Sequence, residues 1–190
     1  MAETGKTEDV VQSTLRDAWN LFSSDFVLWI LAGLILVVVS IFSLGILAGP
    51  MMVGFIHLVE KRRRNEPGSP TDIFEGFSRF GASLIAFLLI SMGVFVGSLL
   101  LVLPGLVFGL VTAFTFHAIA IDDQDATGAM SRSFNVIKDS PALAAVFIVI
   151  MLVLSGIGGA VVFGTLLTLP FTLVLMTLAY HRLSELSGSD

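Results

Sequence analysis

Three stretches of the chain are apolar and uninterrupted by charge: Phe26 to Val59, Phe80 to Ile121, and Ser140 to His181. They run 34, 42 and 42 residues (26–59, 80–121, 140–181) without an Asp, Glu, Lys or Arg. A hydrocarbon layer about 30 Å thick takes roughly 20 helical residues to cross. At a rise of about 1.5 Å per residue, each block drawn as one helix would measure ~50–63 Å. That is too long for one crossing and right for two. The pattern predicts an all-α integral membrane protein with six transmembrane helices arranged as three helical hairpins.

Before each block the pattern changes from continuous to periodic. Val11, Leu15, Ala18, Trp19 and Phe22 recur at helical spacing and share a face. Ser69-Pro70-Thr71-Asp72 carries an N-cap, a proline at the first helical position and a carboxylate three residues after the cap. Ile73, Phe74 and Phe77 follow as its apolar side. A third segment begins near Asp125 and places Met130, Phe134 and Ile137 on one face. Each hairpin is therefore expected to follow a short cytoplasmic amphipathic helix lying flat among the headgroups. A lateral gate or a docking face for a partner is the sharper alternative.

Breaks recur too, at Gly49-Pro50, Pro104-Gly105 and Leu169-Pro170. The unit of amphipathic helix, span, break and return span thus repeats at about 9–64, 69–122 and 125–184. Phe22, Phe77 and Phe134 stand 55 and 57 residues apart, but the prolines stand 54 and 66 apart. Either the third unit is longer or its proline sits deeper. The units form a single membrane domain over 1–190, with an acidic disordered N-terminus at 1–8 and a disordered tail at 185–190.

Charge fixes the orientation. All ten Lys and Arg fall outside the blocks, on one face of a six-span arrangement. The opposite turns, near Gly45–Pro50, Leu103–Gly105 and Gly156–Gly164, have none. The excess of basic residues places both termini and both long loops in the cytoplasm of a cell inner membrane protein. Met1 to Asp25 lacks the apolar core of a cleavable signal. A net charge of -5 without a basic-aromatic stripe excludes nucleic acid as a partner. With no cysteine, thiolate metal sites and thiol nucleophiles are excluded.

Candidate chemistry is sparse. His57, His117 and His181 each sit near the cytoplasmic end of a return span. Converging on the axis of a three-unit bundle, they could hold Zn²⁺ with a fourth position open. Their ordinary role is to snorkel to the interface or to bond a neighbouring helix. Lys61-Arg62-Arg63-Arg64 directly follows a span and would contact anionic lipid, at about 1 kcal/mol per cation near the surface. Asp123-Gln124-Asp125-Ala126-Thr127-Gly128 begins like a calcium loop, but Phe134 stands where the bidentate Glu belongs. It also begins like the nucleophile motif of haloacid-dehalogenase phosphatases, with no sequence left for the soluble domain that motif needs. Its ordinary reading is a polar turn whose Asp caps the next helix.

No Asp, Glu, Lys or Arg lies within a span, which removes the usual tools of ion coupling. Serines and threonines in the blocks, among them Ser40, Thr112, Thr115, Thr168 and Thr172, ordinarily bond a carbonyl of their own helix. Gly93-x3-Gly97, Gly105-x3-Gly109, Ser155-x3-Gly159 and Ala160-x3-Gly164 are small-residue pairs that let helices approach closely, within the protomer or in a homo-oligomer.

Several short motifs carry a resemblance. Gly49-Pro50-Met51-Met52-Val53-Gly54, Asp72-Ile73-Phe74-Glu75-Gly76-Phe77 and Leu103-Pro104-Gly105-Leu106 are three of them. Ala129-Met130-Ser131-Arg132-Ser133-Phe134 with Lys138 is the fourth. Together they resemble a bacterial polytopic membrane protein family of unknown function. That family is related to YciC-like proteins and to the membrane domain of some glycerophosphodiester phosphodiesterases. The resemblance implies a six-helix membrane fold and no catalytic residue. The expected role is a non-enzymatic scaffold, assembly or envelope-maintenance factor, without cofactor, embedded in the bilayer and packing against itself or a membrane partner. The alternatives are a lipid scramblase or permease for a neutral solute, and a metalloenzyme built on the three histidines.

Overall fold

A computed structural model describes residues 2–100, 102–160 and 164–187, and these form an all-helical fold. Helix α1 (Ala2–Ser24) meets α2 (Phe26–Phe42) at a bend of 89°. Helix α3 (Ala48–Arg63) returns along α2. A 3-10 helix (Pro70–Arg79) leads into α4 (Phe80–Leu100). Then come α5 (Val102–Val111), α6 (Thr115–Ile121), α7 (Ala126–Asp139), α8 (Pro141–Ala160) and α9 (Gly164–Ser187). Helix α4 packs along α5, and α8 along α9.

Residues 2–8, expected as a disordered N-terminus, belong to α1. Ala2–Asp9 holds no proline, and its single glycine, Gly5, costs about 1 kcal/mol without ending the helix. At the other end α9 continues through Ser187, so only 188–190 of the expected tail lie outside the described residues.

Four described segments are long and apolar enough to cross a membrane: Pro70–Leu100, Leu103–Ile121, Pro141–Gly158 and Gly164–Ser187. The bent pair α1 and α2 would make a fifth. Helix α3 does not qualify. Only 12 residues, Ala48 to Val59, precede Glu60, about 18 Å of helix. It is instead the innermost helix, with Met51, Val53, Phe55, Ile56, Leu58 and Val59 all at 0% exposure.

Two glycine contacts explain how α3 gets there. A methyl group on Gly54 would fall on the carbonyl of Ile73, and one on Gly76 would strike the carbonyl of Pro50. The backbones of α3 and the 3-10 helix therefore touch, which only glycine permits. The Pro50-x3-Gly54 and Ile73-x2-Gly76 motifs are two halves of one joint. Ser69 caps that 3-10 helix as expected, with the Asp72 carboxylate accepting from the Ser69 backbone N–H at 3.3 Å. The segment winds as a 3-10 rather than an α-helix, the tighter form that short helices adopt.

The small-residue pairs of α4 and α5 also serve the protomer. Gly97 lies against the backbone of Gly105, and Gly93 against the ring of Phe108. Gly158 packs on Thr168 across α8 and α9. The side chains of Gly159 and Ala160 lie outside the described residues. Pro170, expected at a turn, lies inside α9 and packs on Gly33 of α2. The third proline is the one that sits deeper.

The segments expected to be amphipathic bury part of the face their spacing suggested: Ala18, Phe22 and Ile73 are buried, and Val11, Leu15 and Ile137 pack against the core. Helix α1 buries Thr14, Ala18 and Phe22 but leaves Trp19 60% exposed. The 3-10 helix buries Ile73 and Gly76, with Phe74 and Phe77 outward. Helix α7 buries Ala126, Ala129, Ser133 and Val136, with Phe134 outward. Small residues make the joints of the 3-10 helix and α7, while Trp19, Phe74, Phe77 and Phe134 point outward.

Candidate functional site

The apolar bundle has two unlike ends. At the charged end, the polar residues that flank each block tie the three units into a closed ring. Lys61 of α3 bonds Asp72 at 3.1 Å and Glu75 at 2.5 Å, joining the first unit to the second. A ring nitrogen of His57 lies 3.0 Å from the carbonyl oxygen of Ala120, making the same connection deeper in. Arg79 pairs with Asp123 in the turn before α7. The second unit meets the third through Asp122, whose Oδ2 accepts from the Tyr180 hydroxyl at 2.5 Å and from Arg132 at 3.2 Å. His181 of α9 closes the ring, 2.6 Å from Oε1 of Glu60 on α3.

Glu60 lies just past the end of its apolar block and is only 7% exposed. Burial alone would push its carboxyl upward. Hydrogen bonds from His181 and Arg63 outweigh that and hold it down at about 2. The paired cation on Arg63 approaches to 3.1 Å.

A second tie runs through a broken helix. Between α5 and α6 the chain leaves helical geometry at Thr112–Phe114, and the break frees backbone groups inside the bundle. Ser133 of α7, fully buried, fills it: its hydroxyl donates to the Val111 carbonyl at 2.8 Å and accepts from the Phe114 N–H at 3.1 Å. Unpaired polar backbone in an apolar interior is costly, so one serine stabilises the break from both sides. Interrupted membrane helices occur where backbone is buried in protein or lines a cavity.

Below that break sits His117, 3% exposed. Its ring lies 5.8 Å from both Phe114 and Tyr180, nearly parallel to the latter at 30°. Neither ring nitrogen has a hydrogen-bond partner among the described residues.

His117 forms part of the wall of a cavity of about 490 Å³ that extends toward the uncharged end. Helices α2, α3, α8 and α9 supply the rest of the wall. Ile41, Ala48, Ser155 and Thr165 lie near the uncharged turns, and Met176 lies near the charged end. Of the lining residues none is Asp, Glu, Lys or Arg. Thr168 bonds the Gly164 carbonyl, the self-contained arrangement expected of a serine or threonine in a span, as Thr112 and Thr177 do elsewhere. Ser40 and Thr172 depart from it: both line the cavity, and both hydroxyls are buried without a partner. A site of this size is in the usual range for small-molecule binding, about 300–1,000 Å³.

Over residues 10–187 the chain matches the family described as Domain of unknown function (DUF7847). It belongs to that family. No curated protein and no solved structure matches it. The comparisons show no link between this DUF7847 chain and YciC-like proteins or phosphodiesterase membrane domains. The short motifs have structural work here: Gly54 and Gly76 form the joint of α3, and Ser133 fills the break above His117.

The candidate residues named from sequence divide accordingly. His57, His117 and His181 all lie at the charged end but do not form one site. Each faces a different neighbour, and among the described residues no group of three His, Asp or Glu is disposed to hold a metal. Lys61, Arg62, Arg63 and Arg64, named for anionic lipid, all reach carboxylates of the chain: Asp72 and Glu75, Asp25, Glu60, and again Glu60 at 3.7 Å. The calcium-like turn caps α7, with Asp125 Oδ1 accepting from the Gly128 N–H at 2.8 Å. Tyr180, the chain's one tyrosine, was not singled out, nor were Glu60, Asp122 and Ser133. A signal existed for two of them, since Glu60 and Asp122 are the first charges after an apolar block.

Proposed function

We propose that this protein is embedded in the membrane and holds an uncharged, largely apolar molecule between its helices, for movement within or across the bilayer. The observation that carries this reading is the cavity, about 490 Å³ and lined by no charged residue. Of the roles expected from sequence, handling of a lipid or neutral solute is the one a cavity favours. A scaffold drew its support from small-residue faces free for a partner, and Gly93, Gly97, Gly105 and Gly158 are occupied within the protomer.

In the proposed topology six helices enter the membrane, both termini and the basic loop lie in the cytoplasm, and the α2–α3 hairpin is short. Helix α3 offers about 18 Å before its first charge, against a core of about 30 Å. The turn between α2 and α3 then stays inside the hydrocarbon. Its composition supports that: Ile41, Phe42, Leu44 and Ile46 are exposed, Leu44 at 91%. A turn that reached water would carry polar residues. Trp19, Phe74, Phe77 and Phe134 would anchor the opposite side at headgroup level.

The test is retention and transfer. Purified protein is reconstituted in liposomes, and exchange of a fluorescent diacylglycerol between leaflets is compared with that for Ala48→Trp, which fills the cavity wall. Faster exchange with the parent protein than with Ala48→Trp supports the proposal. Equal rates for the parent, the variant and empty liposomes overturn it. A cysteine replacing Ser69, the only thiol in the chain, must label from the cytoplasmic side alone; labelling from outside overturns the topology.

A further inference from the structure

The cavity opens at one end, and three of its walls show the same gradient. On α2, Ile41 is 67% exposed, whereas Leu36, nearer the charged end, is buried. On α8, Ser155 is exposed and Met151 half-buried. Along α9 exposure falls from Thr165 at the surface, through half-buried Thr168 and Leu169, to Leu173 at 7% and Met176 at 2%. From Thr165 to Met176 is about 16 Å of helix. One turn beyond Met176 comes Tyr180, fully buried and bonded to Asp122, and then His181, bonded to Glu60. The polar ring therefore closes the cavity toward the charged end.

The mouth does not sit at the level of the longer hairpins. Glu60 and His181 bond each other, so α3 and α9 can be measured from one depth. From there α9 runs 18 residues (164–181) to its uncharged end and α3 runs 12 (48–59). The α2–α3 turn thus stops about 9 Å short, at a rise of about 1.5 Å per residue. Its apex residue Leu44 holds a left-handed φ of 52° and is almost wholly exposed. Turns in water give that conformation to Gly, Asn or Asp. A bulky leucine kept there despite its steric cost suits contact with acyl chains. Ile41 and Ala48, which flank this turn, also form the rim of the cavity.

We infer that the cavity takes its occupant sideways, over the short α2–α3 turn, from the leaflet at the uncharged end. In the proposed topology that is the non-cytoplasmic leaflet, so the molecule handled is a lipid resident there. The ring at the other end keeps the cytoplasmic leaflet out. This rests on the proposed function and adds the source of the molecule.

The experiment uses the full chain carrying Ser69→Cys, its only thiol, which lies at the charged end. The protein is reconstituted in liposomes in both orientations. A biotin-maleimide that cannot cross the bilayer tags the molecules whose charged end faces out, and streptavidin separates the two populations after crosslinking. One probe is a phosphatidylcholine with a diazirine on one acyl chain, added to the outer leaflet by exchange. The other is a diacylglycerol with the same chain, which equilibrates between leaflets. Diacylglycerol should crosslink Leu173 or Met176 in both populations. Phosphatidylcholine should crosslink Ile41, Ala48 or Thr165 about ten-fold more in the untagged population, since its charged head crosses hydrocarbon only at high cost. Ile41→Trp, at the exposed rim, should lower the diacylglycerol yield at Met176 several-fold. Equal phosphatidylcholine yields in the two populations, or a higher yield in the tagged one, overturn the inference and leave the proposed function standing. An Ile41→Trp yield equal to the parent's does the same. Diacylglycerol crosslinks that never reach Leu173 or Met176 overturn both.

Discussion

The charged and uncharged ends of this bundle handle polar groups in opposite ways. At the charged end Lys61, Glu60, Asp122, Tyr180 and His181 satisfy one another across all three units. Deeper in the bundle the Ser40 and Thr172 hydroxyls and both ring nitrogens of His117 are buried with no hydrogen-bond partner among the described residues. The same residue types thus do different work at different depths. Where charges are available the polar atoms hold the fold, and deeper in the bundle several polar atoms hold nothing. Removing polar atoms should destabilise one end and not the other.

The largest effect expected comes from the joint that sets α3 in the centre. Gly54→Ala puts a methyl group on the Ile73 carbonyl, and backbone cannot retreat as a side chain can. Overpacking of this kind costs about 1–3 kcal/mol and more where rearrangement is blocked. The variant should lose its monodisperse peak on size-exclusion chromatography in detergent. A stable, monodisperse Gly54→Ala would show that α3 and the 3-10 helix do not touch as described.

Next is the break above His117. Ser133→Ala leaves the Val111 carbonyl and the Phe114 N–H unsatisfied together, at about 1–3 kcal/mol for each group. Thermal unfolding in detergent should shift clearly downward. Ser133→Thr retains the hydroxyl and should recover part of the loss, whereas equal losses in both would assign the effect to packing.

Glu60 gives a smaller effect with a pH signature. Its carboxyl is held at about 2, below the ordinary 4.5, so its bonds to His181 and Arg63 contribute stability above pH 4.5. That contribution is lost as pH falls from 4.5 through 2. Glu60→Gln should therefore unfold at a lower temperature than the parent at pH 7, by an amount equivalent to roughly 1–3 kcal/mol for a hydrogen-bonded charge. The two melting curves should draw together as the pH is lowered below 4.5. A gap that stays constant down to pH 3 would remove Glu60 from the ring.

How much of this could be read in the chain beforehand depended on distance in sequence. Helices, their breaks and the separation of charged from uncharged ends follow from local composition, so Ser69 capping was legible, whereas the proline spacing left open a longer third unit or a deeper Pro170. Pairings such as Glu60 with His181, 121 residues apart, were not, because composition does not say which helix lies beside which. The aromatic faces of α1, α7 and the 3-10 helix show the same limit. Spacing identified Phe134 as apolar, and that is true of a residue facing lipid as much as one facing the core. In a membrane the two environments select the same side chains, so small residues such as Gly54, Ala129 and Ser133 marked the true joints. The cavity was legible only as an absence of charge.

The smallest predicted effect has the opposite sign and tests the comparison most directly. Thr172→Val keeps the shape of the side chain and removes a hydroxyl that has no hydrogen-bond partner among the described residues. Nothing is lost within the chain, and the cost of holding an unsatisfied polar atom disappears. The ligand-free variant should unfold at the same temperature or slightly higher, within about 1 kcal/mol of the parent. A Thr172→Val protein destabilised without ligand, to the degree of Ser133→Ala, would mean that this hydroxyl holds the fold too, and the two ends of the bundle would no longer differ in kind.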